Sequence, residues 1–236
     1  MTDFERQVAG VATLNDPVRR SLYEFVVHRG EPVSREEAAA AVGVQKSLAA
    51  FHLDKLADEG LLEIEFRRLT GRTGPGAGRP AKLYRRSNRQ IDVTLPPREY
   101  DLAGRLLAEA IARAESSGRP VRDELERVSF DFGRSLGAKA VDAAGGARAS
   151  KAKLRAALVE VLAAHGFEPR TVGHDVTLAN CPFHALSEQF TDLVCGMNLH
   201  LMQGVRSVLD LGPSELEPRL APEPGQCCVK FCSSAA

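Results

Sequence analysis

The sequence predicts an α+β fold, predominantly helical, on three observations. Apolar residues recur at helical spacing over most of the chain, as in Leu22, Phe25 and Val26 or Leu154, Leu158, Val161 and Leu162. Helix caps and glycine stops fall at the ends of these stretches. Short alternating segments, Leu61 to Phe66, Ala81 to Arg86, Phe167 to Ala179 and Gln226 to Cys232, supply the strands. At 236 residues, more than one folding unit is expected. The pattern divides the chain into 1–90, a helical linker and dimerisation region 91–146, and a cysteine-bearing α+β part 147–236.

The first element begins at Asp16-Pro17, an N-cap with proline in the first turn, and Gly30 ends it. Ser34 with Glu37 forms a capping box before an alanine-rich helix that Gly43 closes. A third helix runs from about Gln45 to Glu59, with Ala49, Leu53 and Leu56 on its inner face and Gly60 as its stop. Two short helices around a glycine-containing turn make a helix-turn-helix. The two strands that follow flank the Gly- and Pro-rich stretch Thr70 to Pro80, so they form a hairpin, the wing. Arg98 to Arg113 and Pro120 to Val141 are helices, with Leu102, Leu106, Ala110 and Ile111 on one stripe of the first. That stripe is expected to pair across a two-fold axis. Lys151 to His165 and Leu186 to Leu209 are further helices.

Acids and bases balance at 31 each, but Arg67, Arg68, Arg72, Arg79, Lys82, Arg85, Arg86 and Arg89 form a basic run without an acid. A local basic stripe beside a helix-turn-helix points to double-stranded DNA. The second helix of such a unit presents its N-terminal residues to base edges in the major groove. Here those are Gln45, Lys46 and Ser47, with Ala50 one turn on. Gln suits adenine, Lys guanine, and an Ala methyl the thymine methyl. His52 lies between faces, where a structural role and a phosphate contact are equally open. Arg72, Arg79 and Lys82 in the wing suit a narrow minor groove.

The five cysteines, Cys181, Cys195, Cys227, Cys228 and Cys232, all lie in the last quarter. No apolar run is long enough for a membrane span, and the N-terminus lacks a signal-peptide layout, so a cytoplasmic protein is expected. Thiols kept reduced there favour metal or redox chemistry over disulfides. Cys181 and His184 share a turn, and Cys195 lies on the following helix. Strand alternation puts Cys227 and Cys228 on opposite faces, so one of the two reaches a shared metal unless a bulge intervenes. An iron–sulfur cluster, a tetrahedral zinc and plain core packing all remain open on this spacing. His165, His174 and His200 stand alone. No Walker loop, GxSxG elbow or HExxH occurs, and the Gly-rich segment 74–78 lies between strands, so no enzyme is predicted.

The stretch from Ser47 to Leu56, with Glu59-Gly60-Leu61-Leu62 after it, resembles the recognition helix and exit of ArsR-type winged-helix repressors. Gly78-Arg79-Pro80-Ala81-Lys82-Leu83-Tyr84 resembles the wing of the Suf iron–sulfur biogenesis regulators, so the likeness covers roughly 14–90. Cys181-Pro182-Phe183-His184 and Cys195-Gly196-Met197-Asn198 resemble the C-terminal domain of the same branch. The resemblance implies homodimers on inverted-repeat operators, repression of cluster-assembly genes, and an iron–sulfur cluster held by Cys181, Cys195 and one of Cys227 and Cys228. No cysteine lies upstream of Cys181, which leaves His184 as the candidate fourth ligand. The rival regulator reading is a C-terminal domain that binds a small organic effector, or holds a structural zinc.

Overall fold

The computed structural model describes residues 3–68, 80–146, 148–212 and 215–233. The chain forms two compact units, one ending at Val93 and the other beginning at Thr94.

In the first unit the elements are α1 (Asp3–Thr13), α2 (Pro17–Arg29), β1 (Val33–Ser34), α3 (Arg35–Val42), α4 (Lys46–Asp58), β2 (Leu62–Arg67) and β3 (Ala81–Arg86). The caps explain why the helices start where they do. The Asp16 carboxylate accepts the Arg19 N–H at 2.9 Å ahead of Pro17. Ser34 and Glu37 exchange bonds, with Glu37 N–H donating to Ser34 Oγ at 3.2 Å and Ser34 N–H to Glu37 Oε2 at 2.8 Å. Gly30 and Gly43 close α2 and α3 with φ of 71° and 73°, a conformation that glycine adopts at no steric cost. The three strands order β1–β3–β2, all antiparallel, with Ile64 opposite Tyr84. Leu22, Val26, Ala49, Leu53, Leu56 and Leu62 close the core. This is a helix-turn-helix followed by a two-stranded wing. The wing's tip, including Arg72 and Arg79, lies outside the described residues.

Helix α1 is an addition to the elements read from sequence. It packs on the segment after the wing: a Cβ on Gly10 would stand 2.7 Å from Ile91 Cδ1, and Gln7 accepts the Asp92 N–H at 2.8 Å. Phe4, Val8 and Val11, spaced for one face, remain exposed.

The second unit comprises α5 (Tyr100–Ser117), α6 (Val121–Ala143), α7 (Lys151–Ala164), β4 (Pro169–Val172), β5 (Asp175–Leu178), α8 (His184–Gln189), α9 (Thr191–Ser207), β6 (Glu217–Leu220) and β7 (Val229–Cys232). Its sheet orders β4–β5–β7–β6, antiparallel throughout. Two elements differ from those read in the sequence. The helix expected over Leu186 to Leu209 is broken at Phe190 into α8 and α9, and β6 is new.

Residues 91–146 do not stand apart as one region: 91–93 belong to the first unit and 94–146 to the second, together with the cysteine-bearing part. Leu102, Leu106 and Ala110 of α5 are buried in one core with Leu125 and Leu136 of α6, Leu158 of α7, Leu201 of α9 and Phe231 of β7. The stripe expected at a two-fold axis is therefore consumed within the unit, and only Ile111 of that set stays exposed. At the centre α6 and α9 cross so closely that three glycines form the contact. A Cβ on Gly133 would lie 1.9 Å from the Leu201 carbonyl oxygen, and one on Gly204 would lie 2.0 Å from that of Phe130.

Candidate DNA-binding surface and thiol cluster

In α4 the buried residues Ala49, His52, Leu53 and Leu56 set the inner face. A rotation of about 100° per residue then puts Ser47, Phe51 and Asp58 on the opposite, outward face, with Leu48 and Ala50 beside them. Gln45 sits at the N-cap position, exposed, and makes no side-chain cap bond. Lys46 is exposed but ion-paired with Glu36 of α3. Ser47 is exposed and Ala50 half-buried.

His52 is buried, at 6% exposure, which favours the structural reading of the two that the sequence left open. Arg19 Nε donates to His52 Nδ1 at 3.2 Å, so Nδ1 acts as acceptor and the ring proton sits on Nε2. Arg19 also donates to the Thr13 carbonyl at 3.1 Å. The Phe51 ring stands edge-on to His52, with centroids 5.3 Å apart.

Lys82 likewise has a local partner. Its ammonium donates to Asp54 Oδ1 at 2.5 Å, and the buried Tyr84 hydroxyl donates to the same oxygen at 2.6 Å. The two bonds tie the wing strand β3 to the recognition helix. Partial burial alone would raise the Asp54 pKa, but the bonds from Lys82 and Tyr84 outweigh it and hold the carboxyl below its ordinary value. Burial, then the Asp54 bond, pushes the Tyr84 hydroxyl up. Asp54→Ala leaves a buried phenol without its acceptor, a loss of about 1–2 kcal/mol. We expect lower stability of the full chain in urea and weaker DNA binding. A folded-state pKa below the unfolded one contributes stability above the ordinary carboxylate range. That contribution disappears as pH falls through the lowered value, so the wild-type advantage over Asp54→Ala should vanish in acid.

The basic run is also less free than its composition suggests. Arg85 pairs across the strands with Glu63 at 2.7 Å, Arg67 pairs with Glu65 at 2.7 Å, and Arg89 donates to the Glu59 carbonyl at 2.7 Å. The acids lie just upstream of the run: Glu63 reaches Arg85 through the β2–β3 register, and Glu65 sits two residues before Arg67 on the same strand. Exposed pairs of this kind are worth little, so a phosphate can take an acid's place at small cost.

In the second unit Cys181, Cys227, Cys228 and Cys195 lie near enough for each thiol to shift the titration of the next in that order. They come from three places: the turn before α8, the bend before β7, and the second turn of α9. Both residues of the Cys227–Cys228 pair take part. The alternation argument holds for burial, since Cys227 shares the fully buried face with Val229 and Phe231. It fails for the sulfurs, because β7 begins only at Val229 and the pair lies on irregular backbone.

Cys227 is 0% exposed, and buried Asn198 of α9 donates Nδ2–H to its sulfur at 3.1 Å. Asn198 Oδ1 meets no partner among the described residues. The bond with Cys227 and burial push the Cys181 thiol up, and burial pushes Cys195 up. For Cys227 the bond from Cys181 acts downward, but the bond with Cys228 and burial prevail and raise it to about 12. All three thiols are therefore protonated at neutral pH.

His184 does not join them. It faces Glu188 at 3.3 Å on an exposed part of α8. Cys232 lies within β7 and opposes Glu217. Among the described residues no three His, Cys, Asp or Glu side chains surround one point as a metal requires. The four cysteines are neighbours, and the expected cage is not preformed.

The cysteine turn is held firmly. Arg98 Nη1 donates to Asn180 Oδ1 at 2.6 Å and to the Cys181 carbonyl at 3.2 Å. Asn180 Nδ2 donates to the carbonyls of Pro97 at 3.0 Å and Gly166 at 2.6 Å, and the Glu99 N–H to that of Pro182 at 3.1 Å. Segment 97–99 and segment 180–182 thus move as one piece.

The family model described as a helix-turn-helix domain matches residues 14–65, from ahead of α2 into β2. With the wing strands in place, that match identifies a helix-turn-helix domain in the first unit and supports a DNA-binding transcription regulator. No curated protein and no solved structure matches significantly. Among the described residues no helix is long and apolar enough to cross a membrane.

Proposed function

We propose that the chain is a repressor that binds an inverted-repeat operator as a homodimer and senses iron–sulfur or redox status through Cys181, Cys195, Cys227 and Cys228. The observation that carries this reading is that four cysteines from three separate elements lie in one neighbourhood, with Cys195 and Cys227 buried and Cys181 and Cys228 half-buried. Soft thiolates are the ligands of iron–sulfur clusters and of zinc, so the donor set fits either in kind. The Asn198 amide bonds Cys227 through its nitrogen and leaves its buried oxygen without a partner among the described residues, as fits a site completed by a further occupant. A bound cluster would supply redox chemistry. The protein's own part is to supply the sulfurs, shield them behind Phe183 and Met197, and bond Cys227 through Asn198.

Iron, sulfide and zinc analysis of anaerobically prepared protein, alongside operator binding, tests this. Wild type is expected to carry iron with sulfide, and Cys195→Ser to carry neither and to change operator affinity while staying folded. Zinc without sulfide would move the reading to a structural zinc. No metal at all, or a wild-type response in Cys195→Ser, would return the thiols to core packing.

For the dimer, the exposed stripe Phe4, Val8 and Val11 of α1 takes the place of the buried α5 stripe. Val8→Glu is expected to turn a dimer into a monomer in sedimentation at micromolar concentration. An unchanged sedimentation coefficient would discard that face.

A further inference from the structure

We propose that Phe51, with Leu48 one turn before it on the same side of the helix, reads thymine methyl groups in the major groove. On this view an apolar face sets much of the sequence preference. Phe51 is 62% exposed and Leu48 40%, on the first turns of the recognition helix. These turns are the part of a helix-turn-helix that meets base edges. Among the polar neighbours His52 is buried and Lys46 is paired with Glu36, while Gln45 and Ser47 stay exposed and can read bases alongside the apolar residues. The Phe51 ring is also braced. It stands edge-on to His52, which Arg19 holds through Nδ1. A ring positioned before binding loses little freedom when it meets DNA. The thymine C5-methyl is the one apolar group on a base-pair edge in the major groove, so it is the ligand such a face suits.

Preferred sites are selected from a random duplex pool with the full chain, so the operator need not be known. Each thymine in the consensus is then replaced singly by deoxyuridine, which removes only the methyl. Burying one such carbon is worth about 0.8 kcal/mol, so wild type is expected to lose roughly fourfold in affinity at one or two positions. Phe51→Ala is expected to bind thymine and uracil versions of those positions alike, while Lys46→Ala keeps the wild-type difference. Phe51→Leu, which keeps an apolar group, should retain most of it. Indifference of wild type to every methyl would overturn the proposal, as would a Phe51→Ala variant that still discriminates. If Phe51→Ala instead alters sedimentation and leaves base discrimination intact, the face belongs to a second copy and the proposal also falls.

Discussion

Gly204→Ala is expected to destabilise the C-terminal unit by about 3 kcal/mol, at the top of the range for an overfilled core. The new methyl would stand 2.0 Å from the Phe130 carbonyl oxygen and 2.9 Å from the Arg134 nitrogen. Both are helix backbone, so no rotamer change relieves the clash and α6 must shift away from α9. Gly133 and Gly137 face the same contact from α6, where a methyl would lie 1.9 Å from the Leu201 oxygen and 2.4 Å from that of Val205. Moving α6 also disturbs Leu125, Val128 and Leu136, which line the shared core. Gly104 of α5 is the internal control, because nothing lies within 4 Å of its Cβ position. Gly104→Ala is expected to gain about 0.5–1 kcal/mol from helix propensity alone. Urea titrations of the full chain, followed by circular dichroism, should separate the two variants in opposite directions. Equal midpoints would mean that the α6–α9 crossing yields to a methyl group at little cost.

Arg98→Ala is expected to leave metal loading at the wild-type level and to abolish most of its effect on operator affinity. The prediction rests on the proposed sensing role. Arg98 joins the Asn180–Cys181 turn to the segment that continues directly from Val93, where the DNA-binding unit ends. A change at Cys181 therefore pulls on that segment through a charged hydrogen bond, a kind worth about 1.5–3 kcal/mol. Coupling between sites typically amounts to about 1–3 kcal/mol, or 5–150-fold in affinity, so losing this one link can remove most of the response. The readouts are metal content and the ratio of operator affinities with and without metal. A wild-type ratio in Arg98→Ala would show that the signal takes another route. Loss of loading would make Arg98 a support of the site itself.

Local chemistry was legible in the sequence wherever a few neighbouring residues suffice. Asp16-Pro17, the Ser34–Glu37 box and the glycines at 30 and 43 set helix ends through bonds and dihedrals that span four residues or fewer. The alternation around the wing and the family-like stretch from Ser47 marked the DNA-binding unit for the same reason. Helix α1 was also within reach of the sequence, since Phe4, Val8 and Val11 share a face and Thr2 with Glu5 has capping-box spacing.

What escaped the sequence depends on partners distant in the chain. Pattern shows that Leu102, Leu106 and Ala110 form a stripe. It does not show whether a second copy or α6 and α7 cover it, and the tertiary core decided for the latter. His52 looked ambiguous until Arg19, thirty-three positions away, proved to hold it. Arg85 looked unopposed until strand pairing brought Glu63 alongside. Cysteine identity and number were plain from the sequence, and they alone limit the chemistry to soft ligands and thiols. Which thiols are neighbours was set by where β7 begins: Cys227 and Cys228 lie on irregular backbone before Val229, outside strand alternation, and each influences a cysteine from another element.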